Sequence, residues 1–302
     1  MENSGYKVSC IDLKGAGTDR SDANSIVSFD DYNKPLMDFM SALPHSELVI
    51  LVGHSAGGLS VTQATHKFAN KIRLAVYVAA TMLKSGFLTD QDIKDESQTL
   101  QTLHLSVQCA LLFSVTVRGS QLAIHDILVY KYLIGGWLLG LLLVTLRDGS
   151  WFPSANCFHI GLAGVPDLSQ FGDVYELGFG LGAEQPPTTA IVKKEFQRKI
   201  IYQMSPQEDS TLAAMLLRPG PILALQSARF KEDGEMVEKV GRIYIKTMHD
   251  NVIKPEQQEA MIKRWPPSQV HVLDSDHSPF FSAPFSLFGL LLKVAATSAG
   301  YK

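Results

Sequence analysis

The stretch Val49-Ile-Leu-Val-Gly-His-Ser-Ala-Gly-Gly58 runs four consecutive apolar residues into a serine between two glycines, then into small residues that suit a helix from Ala56 to Ala69. Val49 to Val52 has the length and β-branched content of a buried strand. Gly53-His54-Ser55-Ala56-Gly57 then has the spacing of a nucleophile elbow, a sharp strand-to-helix turn with the serine at its tip. A serine there takes a strained backbone conformation, and side chains at Gly53 or Gly57 are expected to collide with the strand or the helix. The same turn aims the Ser55 hydroxyl at solvent beside a helix N-terminus, where the Ala56 backbone N–H and the helix dipole would stabilise an oxyanion.

Outward from this turn the pattern alternates. Arg73 to Ala80 (RLAVYVAA) is another continuous apolar run and reads as a strand. Upstream, Lys7 to Leu13 (KVSCIDL) reads as a short strand ended by Lys14-Gly15-Ala16-Gly17. A helix capped by Ser28 follows, with Tyr32, Leu36, Phe39, Met40 and Leu43 at helical spacing, Pro35 near its first turn and Pro44 as its stop. Near the other end, Ile243 to Thr247 and Val270 to Leu273 are strands separated by a helix that starts with Pro255 and ends before Pro266. Strands alternating with helices imply a mostly parallel α/β sheet flanked by helices.

Average residue frequencies produce a bare G-x-S-x-G in roughly one chain in ten of this size, so the motif needs partners. Serine is a poor nucleophile until a base takes its proton, and on a sheet of this kind the acid and base follow in the order Ser, Asp, His. The strand to Thr247 runs into Met248-His249-Asp250, and the strand to Leu273 runs into Asp274-Ser275-Asp276-His277. Both sequences place candidates at the carboxyl edge of the sheet, where sites of open α/β folds gather. Asp274 and Asp276 are nearer His277 in sequence, but a carboxylate one or three residues away on a tight loop rarely reaches the imidazole Nδ1, so Asp250 is preferred. His54 is read as a neighbour of the site rather than its base, its side chain pointing away from that of Ser55. His45, His66, His104, His125, His159, His249 and His271 are read as hydrogen-bonded loop residues. Gly178-Phe-Gly-Leu-Gly-Ala183 formally satisfies a dinucleotide-binding pattern, but no strong strand is read before it and Gln185-Pro-Pro187 follows where a helix should begin. No metal-binding or phosphate-cradling motif is read, so no cofactor and no metal are expected.

Over 302 residues, 46% hydrophobic side chains suffice for a full-sized core, and a formal charge of −3 leaves no broad cationic face for nucleic acid. A small-molecule partner is expected instead. Cys10, Cys109 and Cys157 form no C-x-x-C pair, which points to a reducing compartment. With no targeting segment read at Met1 to Lys7, the expected location is cytoplasmic. Oligomeric state is not legible. From Glu96 to Gly164 only Glu96, Arg118, Asp126, Lys131, Arg147 and Asp148 are charged, and Ile127 to Leu146 approaches the length of a bilayer crossing.

The pieces 5–26 (GYKVSCIDLKGAGTDRSDANSI), 49–58, 74–83 (LAVYVAATML), 193–221 (KKEFQRKIIYQMSPQEDSTLAAMLLRPGP), 242–268 (RIYIKTMHDNVIKPEQQEAMIKRWPPS) and 274–292 (DSDHSPFFSAPFSLFGLLL) resemble the plant methylesterases, α/β-hydrolases akin to the hydroxynitrile lyases. The resemblance covers most of the chain. It implies a serine carboxylesterase acting on methyl esters of small acids such as jasmonate, salicylate and indole-3-acetate, with Ser55 as nucleophile, Asp250 as acid and His277 as base. It also implies a helical cap over an apolar pocket, starting near Met82. The division expected is core 1–82, cap region 83–204 and core 205–302. In better-known hydroxynitrile lyases a lysine follows the catalytic histidine; Ser278 stands here, which favours ester hydrolysis. The family pattern departs in two places. It opens with a strand and a His-Gly-rich loop carrying the second oxyanion N–H, and this chain starts after that point, so an inactive or binding-only relic is the rival expectation. The pattern also reads straight from Thr89–Asp95 to Val165–Ser169, leaving 96–164 as an atypical insertion. That insertion reads as translated non-coding sequence, with a membrane anchor through 127–146 or an added cap element as alternatives. Relatives with plastid presequences make a chloroplast form the alternative location.

Overall fold

In a computed structural model of the chain, the described residues are Glu2, 5–87, 166, 168–230 and 234–298, with the backbone of 132–134 and 137–139. The chain divides into two units, Met1–Thr89 with Ala163–Lys302, and Asp90–Leu162.

The first unit is built on a four-stranded parallel sheet of β1 (Val49–His54), β2 (Ile72–Val78), β7 (Gly241–Thr247) and β8 (Gln269–Leu273), in the order β1-β2-β7-β8. Three of the helices are α1 (Phe29–Tyr32), α2 (Lys34–Ala42) and α3 (Gly57–Phe68). Side chains on a strand alternate between faces, and β2 divides accordingly. Ala75 and Tyr77 join a core with Leu36 and Met40 of α2 and Val61 and Ala64 of α3, while Leu74, Val76 and Val78 pack with Ile243, Ile245, Leu273 and Val294. Val294 belongs to the terminal helix Pro284–Ser298. Helices on both faces make β2 buried throughout except Arg73, which explains its unbroken apolar run. Each large aliphatic side chain so buried contributes about 1.5–3 kcal/mol.

Lys7 to Leu13 corrects the sequence reading. This segment forms no strand. Ile11 and Leu13 lie partly buried against the first core, but a strand also needs a ladder partner for its backbone. Among the described residues no strand pairs with the outer side of β1, where Val52 is 50% exposed. The single helix expected after Ser28 is two. The Ser28 hydroxyl accepts the Asp31 N–H at 3.2 Å and caps α1, which ends at Tyr32 with Asn33 as its C-cap; Pro35 then stands in the first turn of α2. Asn33 is fully buried and donates to Gln63 Oε1 at 2.8 Å, a partner that holds the break in place.

A strand does precede Gly178-Phe-Gly-Leu-Gly-Ala183, contrary to the reading above. It is β5 (Tyr175–Gly178), paired antiparallel with β6 (Thr189–Val192), so the glycines form a hairpin connection rather than the start of a helix. In the second unit, β3 (Tyr132–Ile134) and β4 (Trp137–Leu139) form an antiparallel pair. They fall inside the segment 127–146 considered for a bilayer crossing, and the rest of that segment and of the insertion 96–164 lies outside the described residues, as do Cys109 and Cys157. Among the described residues no helix is long and apolar enough to cross a membrane.

Candidate active site

Three chain segments leave the carboxyl ends of β1, β7 and β8, and the register places those ends side by side: His54 opposite Val78, Val78 opposite Ile245, Thr247 opposite Leu273. Ser55 follows β1 directly with φ 53°, a left-handed conformation that costs a side-chain-bearing residue of order 1–3 kcal/mol. The fold holds it there through its N–H on Val78 O at 3.3 Å and through its carbonyl, which accepts the Gly58 N–H at 3.1 Å.

The glycines around the serine are not equivalent. A Cβ at Gly53 would lie 2.6 Å from Gly57 O and 2.8 Å from Val61 Cγ2, so Gly53 must be glycine for the expected reason. At Gly57 a Cβ meets nothing within 4 Å, which overturns the collision expected there. The second close approach is made one residue later, by Gly58, whose Cβ would sit 2.3 Å from Thr81 O. Helix α3 begins at Gly57, and the N–H of Ala56 has no hydrogen-bond partner among the described residues, leaving a donor at its N-terminus beside Ser55.

His277 Nε2 lies 3.0 Å from Ser55 Oγ, and its Nδ1 lies 2.8 Å from Asp250 Oδ2. Asp250 is 2% exposed, and a buried carboxylate must be saturated with donors. Val252 N and Ile253 N donate to Oδ1 at 2.8 and 2.9 Å, while Thr247 Oγ1 donates to Oδ2 at 3.0 Å. An aspartate so bound fixes His277 with Nδ1 as the protonated nitrogen and Nε2 as the acceptor facing the serine.

The nearer carboxylates have other occupations. Asp274 is exposed and pairs with His249 Nε2 at 2.7 Å. Asp276 is fully buried and accepts four donors: Met204 N and Ser205 Oγ at 2.9 Å each, Ser278 N at 2.9 Å and Ser282 Oγ at 2.7 Å. These bonds pin the residues on either side of His277. His54 donates from Nε2 to the His277 carbonyl at 2.7 Å, and the two rings lie 4.7 Å apart. Burial, then the neighbouring His277, holds the His54 pKa down to about 3 against an ordinary 6.5, so it stays a neutral donor.

Gln258 escaped the sequence reading. It is fully buried on the helix Pro255–Arg264, takes the Thr247 N–H on Oε1 at 3.1 Å, and sets its amide nitrogen 2.7 Å from Ile253 O and 3.3 Å from Asp250 Oδ2. The signal was its spacing, since Gln258 shares the inward face with Met261 and Trp265, both buried. Of the remaining histidines, His66 bonds to Lys84 O at 2.7 Å, whereas His271 has a buried Nε2 with no partner among the described residues; His104, His125 and His159 lie outside them.

Comparison with known proteins agrees with this architecture. Residues 2–103 match the alpha/beta hydrolase fold family. Methylesterase 17 of Arabidopsis thaliana is 48% identical over 99% of this chain and 85% of its own length, and pheophorbidase of Raphanus sativus is 34% identical over 97% and 84%. Among solved structures, the crystal structure of a methylesterase protein, MES16, from Arabidopsis has a TM-score of 0.67 and 32% identity, covering 98% of this chain and 89% of that one.

Proposed function

Since the chain belongs to the plant methylesterase family of α/β-hydrolases and is a carboxylic ester hydrolase, we propose that it cleaves methyl esters of small plant-hormone acids through Ser55, His277 and Asp250. Methyl jasmonate, methyl salicylate and methyl indole-3-acetate are the substrates this reading names. The observation that carries it is the unbroken hydrogen-bond sequence from Ser55 Oγ to His277 Nε2 and from His277 Nδ1 to Asp250 Oδ2.

In the acylation step Ser55 Oγ attacks the ester carbonyl carbon while His277 Nε2 takes the hydroxyl proton. Asp250 remains ionised and stabilises the imidazolium through Nδ1–H. The oxygen of the tetrahedral intermediate accepts the Ala56 N–H, a backbone dipole already oriented by the turn and needing no reorganisation as charge develops. Collapse breaks the bond to the methoxy oxygen, which leaves as methanol with the proton from His277. Water then gives a proton to the same nitrogen and attacks the acyl carbon; collapse breaks the bond to Ser55 Oγ, His277 returns the proton to that oxygen, and the free acid is released.

A fluorescent phosphonate together with hydrolysis of the three methyl esters tests the reading. Covalent labelling and methanol release by the wild-type chain, both absent in Ser55→Ala, are expected; loss of activity in such a variant is about 10⁴-fold or more. Folded wild-type protein that neither labels nor releases methanol, or a Ser55→Ala variant that still labels, would refute it.

A further inference from the structure

Tyr77 on β2 and Tyr244 on β7 stand opposite each other in register, and both are fully buried. Burial raises both phenols above their ordinary pKa, so each remains a protonated hydroxyl that must find a partner. Their partners differ in kind. The Tyr77 hydroxyl lies 3.0 Å from Thr62 Oγ1, a side chain of α3. The Tyr244 hydroxyl donates to the Ala80 carbonyl at 2.8 Å and accepts the Ala80 N–H at 3.1 Å.

Ala80 needs this because the β2 ladder has ended. Ala79 turns away with φ 43°, its N–H still on Ile245 O at 2.9 Å, and the fully buried Ala80 then has one phenol satisfying both its backbone groups. The next residue reaches the elbow: Thr81 N donates to the Ser55 carbonyl at 3.0 Å, beside the Gly58 N–H on the same oxygen. The path at Ala80 and Thr81 is also pressed against the first turn of α3, since a Cβ on Gly58 would be 3.0 Å from Ala80 Cβ as well as 2.3 Å from Thr81 O. Ser55 can hold φ 53° only while its surroundings over-determine it, and the Thr81 N–H is one of its few direct restraints.

We propose that Tyr244 is a positioning residue for the reaction: its hydroxyl clamps Ala80, so that Thr81 holds the Ser55 carbonyl and keeps Ser55 Oγ within reach of His277. The proposal rests on Ser55 being the nucleophile. Tyr77 supplies the comparison, an equally buried hydroxyl on the neighbouring strand: it reaches Thr62 Oγ1, which in turn donates to Gly58 O at 2.9 Å, so it touches no backbone group of the elbow directly.

The test compares Tyr244→Phe with Tyr77→Phe by methyl ester hydrolysis, by the rate of phosphonate labelling and by thermal unfolding. Tyr77→Phe loses one buried hydrogen bond and Tyr244→Phe two, so Tm falls by about 2–6 °C in both, more in Tyr244→Phe. Tyr244→Phe is expected to lower kcat and the labelling rate by about 10–100-fold with KM within about twofold, because a small misplacement of the nucleophile acts on the transition state rather than on binding. Tyr77→Phe should keep kcat. Equal kcat in the two variants, whether both unchanged or both reduced, overturns the clamp. If Tyr244→Phe fails to fold, Gly58→Ala decides, since it pushes the Ala80–Thr81 segment from the other side; wild-type kcat in that variant overturns the clamp as well. Labelling of Ser55→Ala at the wild-type rate would instead remove the nucleophile assignment and the clamp with it, whereas a failed clamp alone leaves Ser55-dependent labelling intact.

Discussion

On the elbow, Ser55 is positioned by backbone: a left-handed φ, N–H and C=O bonds to neighbouring segments, and empty space at Gly53 and Gly58 where a side chain would meet backbone or core. On the opposing loops, Asp250 and His277 are positioned by side chains, with Gln258, Thr247 and the fully buried Asp276 filling the hydrogen-bond capacity of the turns. The Ser55 half therefore depends on what its residues lack, and the Asp250–His277 half on which polar groups its residues add. A backbone-built site tolerates little change in volume, while a network-built site tolerates little change in hydrogen-bond polarity.

Asp250→Asn attacks the network half at its centre and carries the largest expected effect. The amide replaces an acceptor by a donor opposite His277 Nδ1 or opposite the Val252 and Ile253 N–H groups, so kcat should fall by about 10³–10⁴-fold. Steady-state rates on a methyl ester measure it, and activity within about tenfold of wild type would remove Asp250 from the site. The backbone half is probed by a pair of glycine changes. Gly53→Ala drives a methyl into Gly57 O and should cost about 2–3 kcal/mol in urea unfolding, whereas Gly57→Ala meets nothing and should stay within about 0.5 kcal/mol. Equal costs at the two positions would mean that the elbow is not shaped by close approach.

His54 joins the halves through its bond to the His277 carbonyl, and its effect is confined to acid pH. The unfolded chain takes a proton on this ring near pH 6.5 and the folded chain only near 3, so the unfolded state binds more protons between those values. Stability from this group is complete above about pH 6.5 and declines as the pH falls toward 3, by at most about 1.4 kcal/mol per pH unit. His54→Gln keeps an N–H donor but cannot titrate, so its urea midpoint should drop less than the wild type's between pH 7 and pH 4. Identical drops would show that His54 is not held neutral.

How much of this was legible follows the same division. Ser55 could be found because the elbow is local: strand, glycine-flanked serine and helix are contiguous, and the torsion at the serine restricts its neighbours. Asp250 and His277 could be singled out by chain order and by their places after β7 and β8, but the bonds of Gln258 to Asp250 and those of Asp276 reach across several segments, and the helical spacing of Gln258 marks only its burial. Lys7 to Leu13 went wrong for a related reason. Its β-branched run suits a strand, and Ile11 and Leu13 do face the core, yet a ladder also depends on a neighbour that a local run does not specify.

The amino-acid sequence alone determined the alternation of strands and helices, the turn that carries Ser55 and its family, because periodicity and steric restriction act over a few residues. Only the tertiary structure decided which buried groups hold Asp250 and Asp276, which glycine is truly crowded and which buried tyrosine touches the elbow, because hydrogen bonds and van der Waals contacts depend on distances between segments far apart in the chain.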